Sequence, residues 1–148
     1  PKKRLLLYDE IMDKSISIGI GCVSPDIIDK INIRNSTIKA MEEAVTNLEL
    51  SPDKVLIDGL DEPNLLVPFE NIVKGDTKYL SIAAASILAK TYRDDIMRRL
   101  NIASPEYKWE QNKGYPTREH RQAIKRFGIS KHHRKSFQLL PAQLSLEL

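Results

Sequence analysis

The sequence has 148 residues, 41% hydrophobic and 29% charged, which is the composition of one globular domain and excludes a disordered or fibrous chain. Its single cysteine excludes an internal disulfide framework and every cysteine-cluster metal site. The formal net charge of +3 hides an asymmetry: residues 1–73 carry 8 Lys/Arg against 13 Asp/Glu, and residues 74–148 carry 15 against 7. The basic half suits a polyanion such as nucleic acid, or else a solvated Lys/Arg-rich helical surface.

No apolar run approaches the roughly 20 residues that span a bilayer, and no signal-peptide segment opens the chain, so a cytoplasmic protein is expected. The chain starts Pro1-Lys2-Lys3-Arg4 with no Met, which reads as a fragment, a processed product or the ordered part of something longer. Leu5, Leu6, Leu7, Ile11 and Met12 recur at helical spacing and predict a helix over 3–13. Residues 15–21 (SISIGIG) alternate at period two and predict a half-buried strand with Ile16, Ile18 and Ile20 on the covered face. The glycines leave room for something bulky on the other face. Ser24-Pro25-Asp26 carries helix-start chemistry, so a short helix to about Ile31 is expected, then a second over 34–49 striped by Ile38, Met41, Ala44, Val45 and Leu48.

Residues 54–59 (KVLIDG) predict an inner strand covered on both faces and ending in Asp58. Residues 65–73 suggest another strand or extended edge, with Pro68 opposing a fully laddered middle, and 74–79 (KGDTKY) a polar turn. A long helix follows from Ser81 to about Leu100, with Ala85, Leu88, Ala89, Tyr92, Ile96 and Leu100 on its buried side. Thr117 opens a last basic helix to about Phe127, ended by Gly128. An inner strand needs hydrogen-bonding neighbours on both sides, and three strands are few for this length, so the sheet is expected to lack strands.

Asp58 stands where an inner strand meets its loop, the usual place for function in an open α/β sheet, and Asp76 follows the next apolar stretch. If the two strands are neighbours, both carboxylates converge at one sheet end and offer hard oxygen ligands to divalent ions that hydrolyse phosphodiesters. The plainer alternative makes Asp58 a turn cap and Asp76 a solvated loop residue. Lys74, with Ser86 and Lys90 four apart on one helix face, could hold a phosphate or could be ordinary surface. His120, His132 and His133 match no short-loop zinc spacing. Trp109, amid charged residues, covers a local cluster. Tyr115, pinned between Gly114 and Pro116 in a basic segment, is suited either to stacking on a base or sugar or to packing on the last helix.

Taken together, VLIDG at 55–59, VKGD at 73–76, SIAAASILAK at 81–90, Arg93-Asp94, KGYPT at 113–117 with His120, and HRKSF at 133–137 resemble the type 2 ribonucleases H, the ribonuclease HII family. The resemblance implies a ribonuclease H-like α/β fold, a mixed sheet flanked by helices, and hydrolysis of the phosphodiester 5′ to a ribonucleotide in RNA–DNA hybrids or in DNA. Products with a 3′-hydroxyl and a 5′-phosphate, and Mg²⁺ or Mn²⁺ held by four acidic residues, are implied with it. Asp58 matches the third of those acids, Asp76 the fourth, and Tyr115 the tyrosine that stacks at the ribose–deoxyribose junction. Lys74, Ser86 and Lys90 match positions around the phosphates. The family's opening strand, with its Asp-Glu pair and Gly-Arg-Gly motif, has no counterpart here, since Asp9-Glu10 falls in the first helix. The expected organisation is therefore a catalytic domain over 1–136, incomplete at its start, and a tail over 137–148 that departs from the family's pattern at Gln138. A monomer is expected for the intact protein. A catalytically inactive nucleic-acid-binding module, or a fragment needing a complementing chain, remain as alternatives.

Overall fold

The computed structural model describes residues 2–137. Its elements run α1 (Lys2–Lys14), α2 (Pro25–Thr46), β1 (Val55–Asp58), β2 (Phe69–Ile72), α3 (Leu80–Ala103), α4 (Trp109–Asn112) and α5 (Arg118–Phe127), with 3₁₀ turns at Gly75–Thr77 and Pro105–Tyr107. The residues fall into two compact units. One contains Ile31–Tyr92 and the residues before Ser24; the other contains Ser24–Lys30 and the residues from Arg93 onward. The boundary expected at 136, and the departure at Gln138, lie at or outside the edge of the described residues. No helix among the described residues is long and apolar enough to cross a membrane.

In the first unit the predicted break between two helices appears as a kink inside α2, where Asn32 takes φ 66° and ψ 169°. The Asn32 side-chain oxygen accepts from the Asn35 amide at 3.1 Å, so this residue restarts the helix it interrupts, as an N-cap does. Residues 15–24 do not form a ladder with any described strand. They run instead along α2, where a Cβ on Gly19 would meet the Ala44 carbonyl oxygen at 1.9 Å and one on Gly21 the Ala40 carbonyl at 1.8 Å. Only hydrogen fits there. Asn47 donates to the Ile20 carbonyl at 2.8 Å, and Ser17 Oγ accepts from the Glu49 amide at 2.9 Å, which fixes the segment in place. The glycine face is thus the one pressed closest to a neighbour, while Ile16, expected under cover, is 88% exposed.

The sheet among the described residues is a parallel pair with Asp58 in register with Ile72. β2 is shorter than the apolar run around it. Pro68, which has no N–H to donate, stops short of the ladder and contributes its carbonyl to the Val55 amide at 2.9 Å. β1 has one described strand neighbour rather than two, and only Ile57 along it is buried. The thin cover also changes α3. Ala85, Ala89 and Tyr92, expected on its buried side, are exposed, and the helix is anchored by Ile82 instead.

The second unit has a tighter core. Tyr107, Trp109, Ala123 and Ile124 are buried together, with Met97 and Leu100 packed against them. The α5 residues His120, Ala123 and Ile124 recur at three and four, which turns one helix face inward. Thr117 Oγ1 accepts from the His120 amide as N-cap and Gly128 closes the helix, both as the sequence predicts. Asp29 ties the end of the described chain to this unit, accepting from the amides of Lys135 and Ser136 and from the Ser136 hydroxyl.

Candidate active site

Asp58 is the last residue of β1, and the parallel register brings the end of β2 beside it, with the Gly59 amide donating to the Ile72 carbonyl at 3.1 Å. The chain must then turn sharply out of β2. It does so through Lys74, which adopts the left-handed conformation (φ 56°, ψ 46°), an uncommon geometry for a residue with a Cβ and one that costs on the order of 1 kcal/mol. The 3₁₀ turn that follows carries Asp76. Thr77 Oγ1 bonds the Lys74 carbonyl at 2.8 Å, and Lys78 Nζ donates to the Val73 carbonyl at 2.9 Å, so the turn is braced from both sides.

One contact joins the two acids. The Gly75 amide donates to Asp58 Oδ1 at 2.9 Å, so the Asp58 carboxylate is fastened to the residue immediately preceding Asp76. Gly75 is buried, and a Cβ there would fall 2.5 Å from Ile82 Cδ1. The glycine lets the turn settle onto α3 while its amide still faces Asp58. Both acids are exposed, and neither makes an ion pair among the described residues. Asp58 does cap a turn, as its plainer reading held, yet the turn it caps is the one that presents Asp76.

The structure therefore brings Asp58, Lys74 and Asp76 to one sheet edge. Ser86, half-buried, and Lys90, exposed, follow one turn apart on α3, and neither hydrogen-bonds to either carboxylate. Among the described residues no group of three or more His, Cys, Asp or Glu could hold a metal ion. Two carboxylates suit a small hard cation all the same. Mg²⁺ is commonly held by one or two carboxylates, with water and substrate phosphate completing its shell. Residues present and group implied fit in donor chemistry.

Tyr115 belongs to the second unit and is 63% exposed, so it is presented rather than packed away. The loop that presents it is heavily constrained. Asn112, buried, accepts from the Gly114 amide at 2.8 Å and donates to the Tyr107 carbonyl at 2.6 Å, while Lys113 and Gly114 both take positive φ. Arg93 Nη2 donates to the Lys113 carbonyl at 2.8 Å, and its guanidinium lies 5.5 Å from the centre of the Tyr115 ring. One face of the tyrosine is thus occupied by a cation. The sequence gives no sign of the roles of Lys78 and Asn112, which depend on how their own turns fold back on themselves; Gly75 and Arg93 were visible only as parts of motifs.

Comparison with known proteins decides the family. The ribonuclease HII profile matches residues 2–140. The chain belongs to the ribonuclease HII family. Ribonuclease HII of Christiangramia forsetii is 50% identical over 147 residues, covering 99% of this chain and 74% of that protein. Its counterpart in Parabacteroides distasonis is 52% identical over 146 residues, covering 98% and 73%. The crystal structure of ribonuclease H2 from Pyrococcus horikoshii OT3 shares the fold, with a TM-score of 0.74 at 19% identity over 99% of this chain and 77% of that one. Membership makes the chain one of a family of endoribonucleases, and the α/β fold expected from the sequence is the fold it has.

Proposed function

We propose that this protein hydrolyses RNA–DNA hybrids and ribonucleotides embedded in DNA, cutting the phosphodiester 5′ to the ribonucleotide to leave a 3′-hydroxyl and a 5′-phosphate. The observation that carries the reading is the Asp58–Gly75 bond, which sets two carboxylates at the end of a parallel sheet on a braced turn. Asp58 and Asp76 would hold Mg²⁺ or Mn²⁺, which on binding supplies an activated water and offsets charge on the phosphoryl oxygens. Oxygen-only ligation at an exposed edge supports that assignment over zinc.

The chain's own residues do the positioning. Gly75 keeps the Asp58 carboxylate oriented, so it need not reorganise when substrate arrives. Lys74, in the same turn, would offer an ammonium to phosphate charge, and Ser86 and Lys90, one turn apart on α3, would add further polar contacts. Tyr115 offers a ring face for stacking on a sugar or base, with Arg93 behind it. We place the protein in the cytoplasm and read it as a monomer when intact. The test is a metal-dependent cleavage assay on a duplex with a single ribonucleotide, with end-group analysis of the products. Cleavage 5′ to the ribonucleotide, lost on Asp76→Asn, is the expected result; full turnover by that variant would discard the assignment.

A further inference from the structure

Helix α5 divides its residues sharply. His120, Ala123 and Ile124 are buried, whereas Arg118, Arg121, Lys125 and Arg126 are all exposed on the opposite side. At 100° per residue, the four cations occupy an arc centred directly away from the buried residues. Helices of this kind normally intersperse acids that neutralise their basic residues at i±3 and i±4. Here α5 has one acid, Glu119, and none of the four cations makes an ion pair among the described residues. Elsewhere in the same unit the pattern differs: Arg98 and Arg99 are paired with Asp95, and Lys113 with Asp94. On α5 the unpaired cations are gathered on one side of a helix that is firmly packed on the other.

The row also has a useful length. Arg118 to Lys125 spans seven residues, or about 10.5 Å along the helix axis. Each strand of a duplex carries a phosphate for every 3.4 Å or so of duplex axis, so a row of this length laid along that axis spans the rise of about three phosphates. A rigid, straight and uncompensated row matches a stiff polyanion better than it matches a mobile acidic peptide. The short α4 and the constrained 113–117 loop lead directly into α5, so Tyr115 stands two residues before the helix's N-cap.

We infer that the outward face of α5 is a duplex-docking surface, contacting the sugar–phosphate backbone through Arg118, Arg121 and Lys125, with Arg126 at its margin. This rests on the nucleic-acid reading above and adds to it a surface made of other residues than those of the carboxylate edge. Contacts of this type position the duplex and carry no sequence information. They affect an all-DNA duplex and an RNA–DNA hybrid alike.

The experiment measures equilibrium binding of the protein to a 20-base-pair hybrid and to an all-DNA duplex, without divalent metal, between 50 and 200 mM salt. The Arg118→Gln/Arg121→Gln/Lys125→Gln variant is compared with the wild type and with Arg118→Lys/Arg121→Lys, which keeps the charge. Removing three phosphate contacts should lower the slope of log K against log salt by about 2.7, so affinity across that interval falls roughly 40-fold less steeply than in the wild type. The lysine variant should keep the wild-type slope. An unchanged slope in a folded glutamine variant, checked by circular dichroism and by the single Arg121→Gln, would overturn the surface while leaving the nuclease reading intact. Cleavage by the wild type is scored separately: a wild type that neither binds nor cleaves either duplex overturns the nuclease reading and the surface with it.

Discussion

The two units solve different problems. In the second, four aromatic or imidazole rings, those of Tyr107, Trp109, His120 and His133, lie within 4.6–6.4 Å of one another and are all nearly inaccessible. In the first, the sheet that carries the acids buries only Ile57 and Ile72, with Ile82 of α3, while Leu60, Leu66 and Leu80 stay 71% or more exposed. Burial of apolar area is the main stabilising term, at about 25 cal/mol per Å². Stability per residue is therefore concentrated where Tyr115 and the basic helix are presented. The acids stand on a thinly covered scaffold held by polar contacts and close backbone approach. An acid that must meet solvent, ions and substrate cannot also sit under a deep core, whereas an aromatic that must be stiff needs one behind it.

Substitutions at the carboxylate edge should sharpen that contrast most. Asp76→Asn and Asp58→Asn should each lower kcat on the order of 10³-fold, equivalent to about 4 kcal/mol of lost transition-state stabilisation. Urea midpoints should hardly move for Asp76→Asn, because the side chain is exposed. A parallel loss of stability and activity would mean that the acid is structural. Next in size, Trp109→Ala should destabilise by about 3–5 kcal/mol, as removal of a 2% exposed indole usually does, whereas Leu66→Ala, fully exposed, should stay within about 0.5 kcal/mol. Equal costs in denaturant unfolding would break the comparison.

Tyr115→Ala should separate binding from folding. Loss of one stacking platform costs about 1–3 kcal/mol of affinity for a nucleic-acid ligand, seen as a 5- to 150-fold rise in Kd. Stability should be nearly unchanged, since the ring is mostly solvated. Arg93→Ala should produce a smaller loss of the same kind, because the loop keeps its Asn112 bonds. Tighter hybrid binding by either variant would deny Tyr115 a stacking role.

Periodicity and capping made much of this legible in advance. Thr117, Gly128 and Pro25 are local signals that act within one helix, and each stands where the sequence places it. The expected convergence of Asp58 and Asp76 required the two apolar runs to be neighbours, and β1 and β2 are neighbours. What went astray depended on distant partners. SISIGIG has a strand's alternation, but the glycines are there to let α2 come close, and period two does not distinguish a laddered strand from an extended segment lying on a helix. Ala85, Ala89 and Tyr92 lie on α3's apolar stripe, yet a stripe is buried only if something covers it. Trp109, read as covering a local cluster, is buried at the centre of one, because a 3₁₀ turn and the four-residue α4 redirect its charged neighbours outward.

The last effect concerns acid, and it belongs to the second unit, where all three histidines lie. His133 is 4% exposed; burial, and then the proximity of His120, lowers its pKa from 6.5 to about 4, with His132 adding to the same direction. Its Nδ1 accepts from the Ser130 amide at 2.9 Å, which places the single proton on Nε2 and requires the neutral ring. The unfolded chain takes up a proton near pH 6.5 and the folded chain only near 4, so between those values the unfolded state binds more protons. Stability is then fully present above pH 6.5 and declines as pH falls toward 4, with a slope of at most about 1.4 kcal/mol per pH unit from this group. Below pH 4 its contribution to the slope ends. His133→Gln should lower stability at pH 7.5 while flattening the dependence between 6.5 and 4, measured by urea unfolding at fixed pH. A variant that is destabilised but keeps the wild-type slope would show that the second unit's core senses acid through some other group, and that its close ring packing does not keep this imidazole neutral.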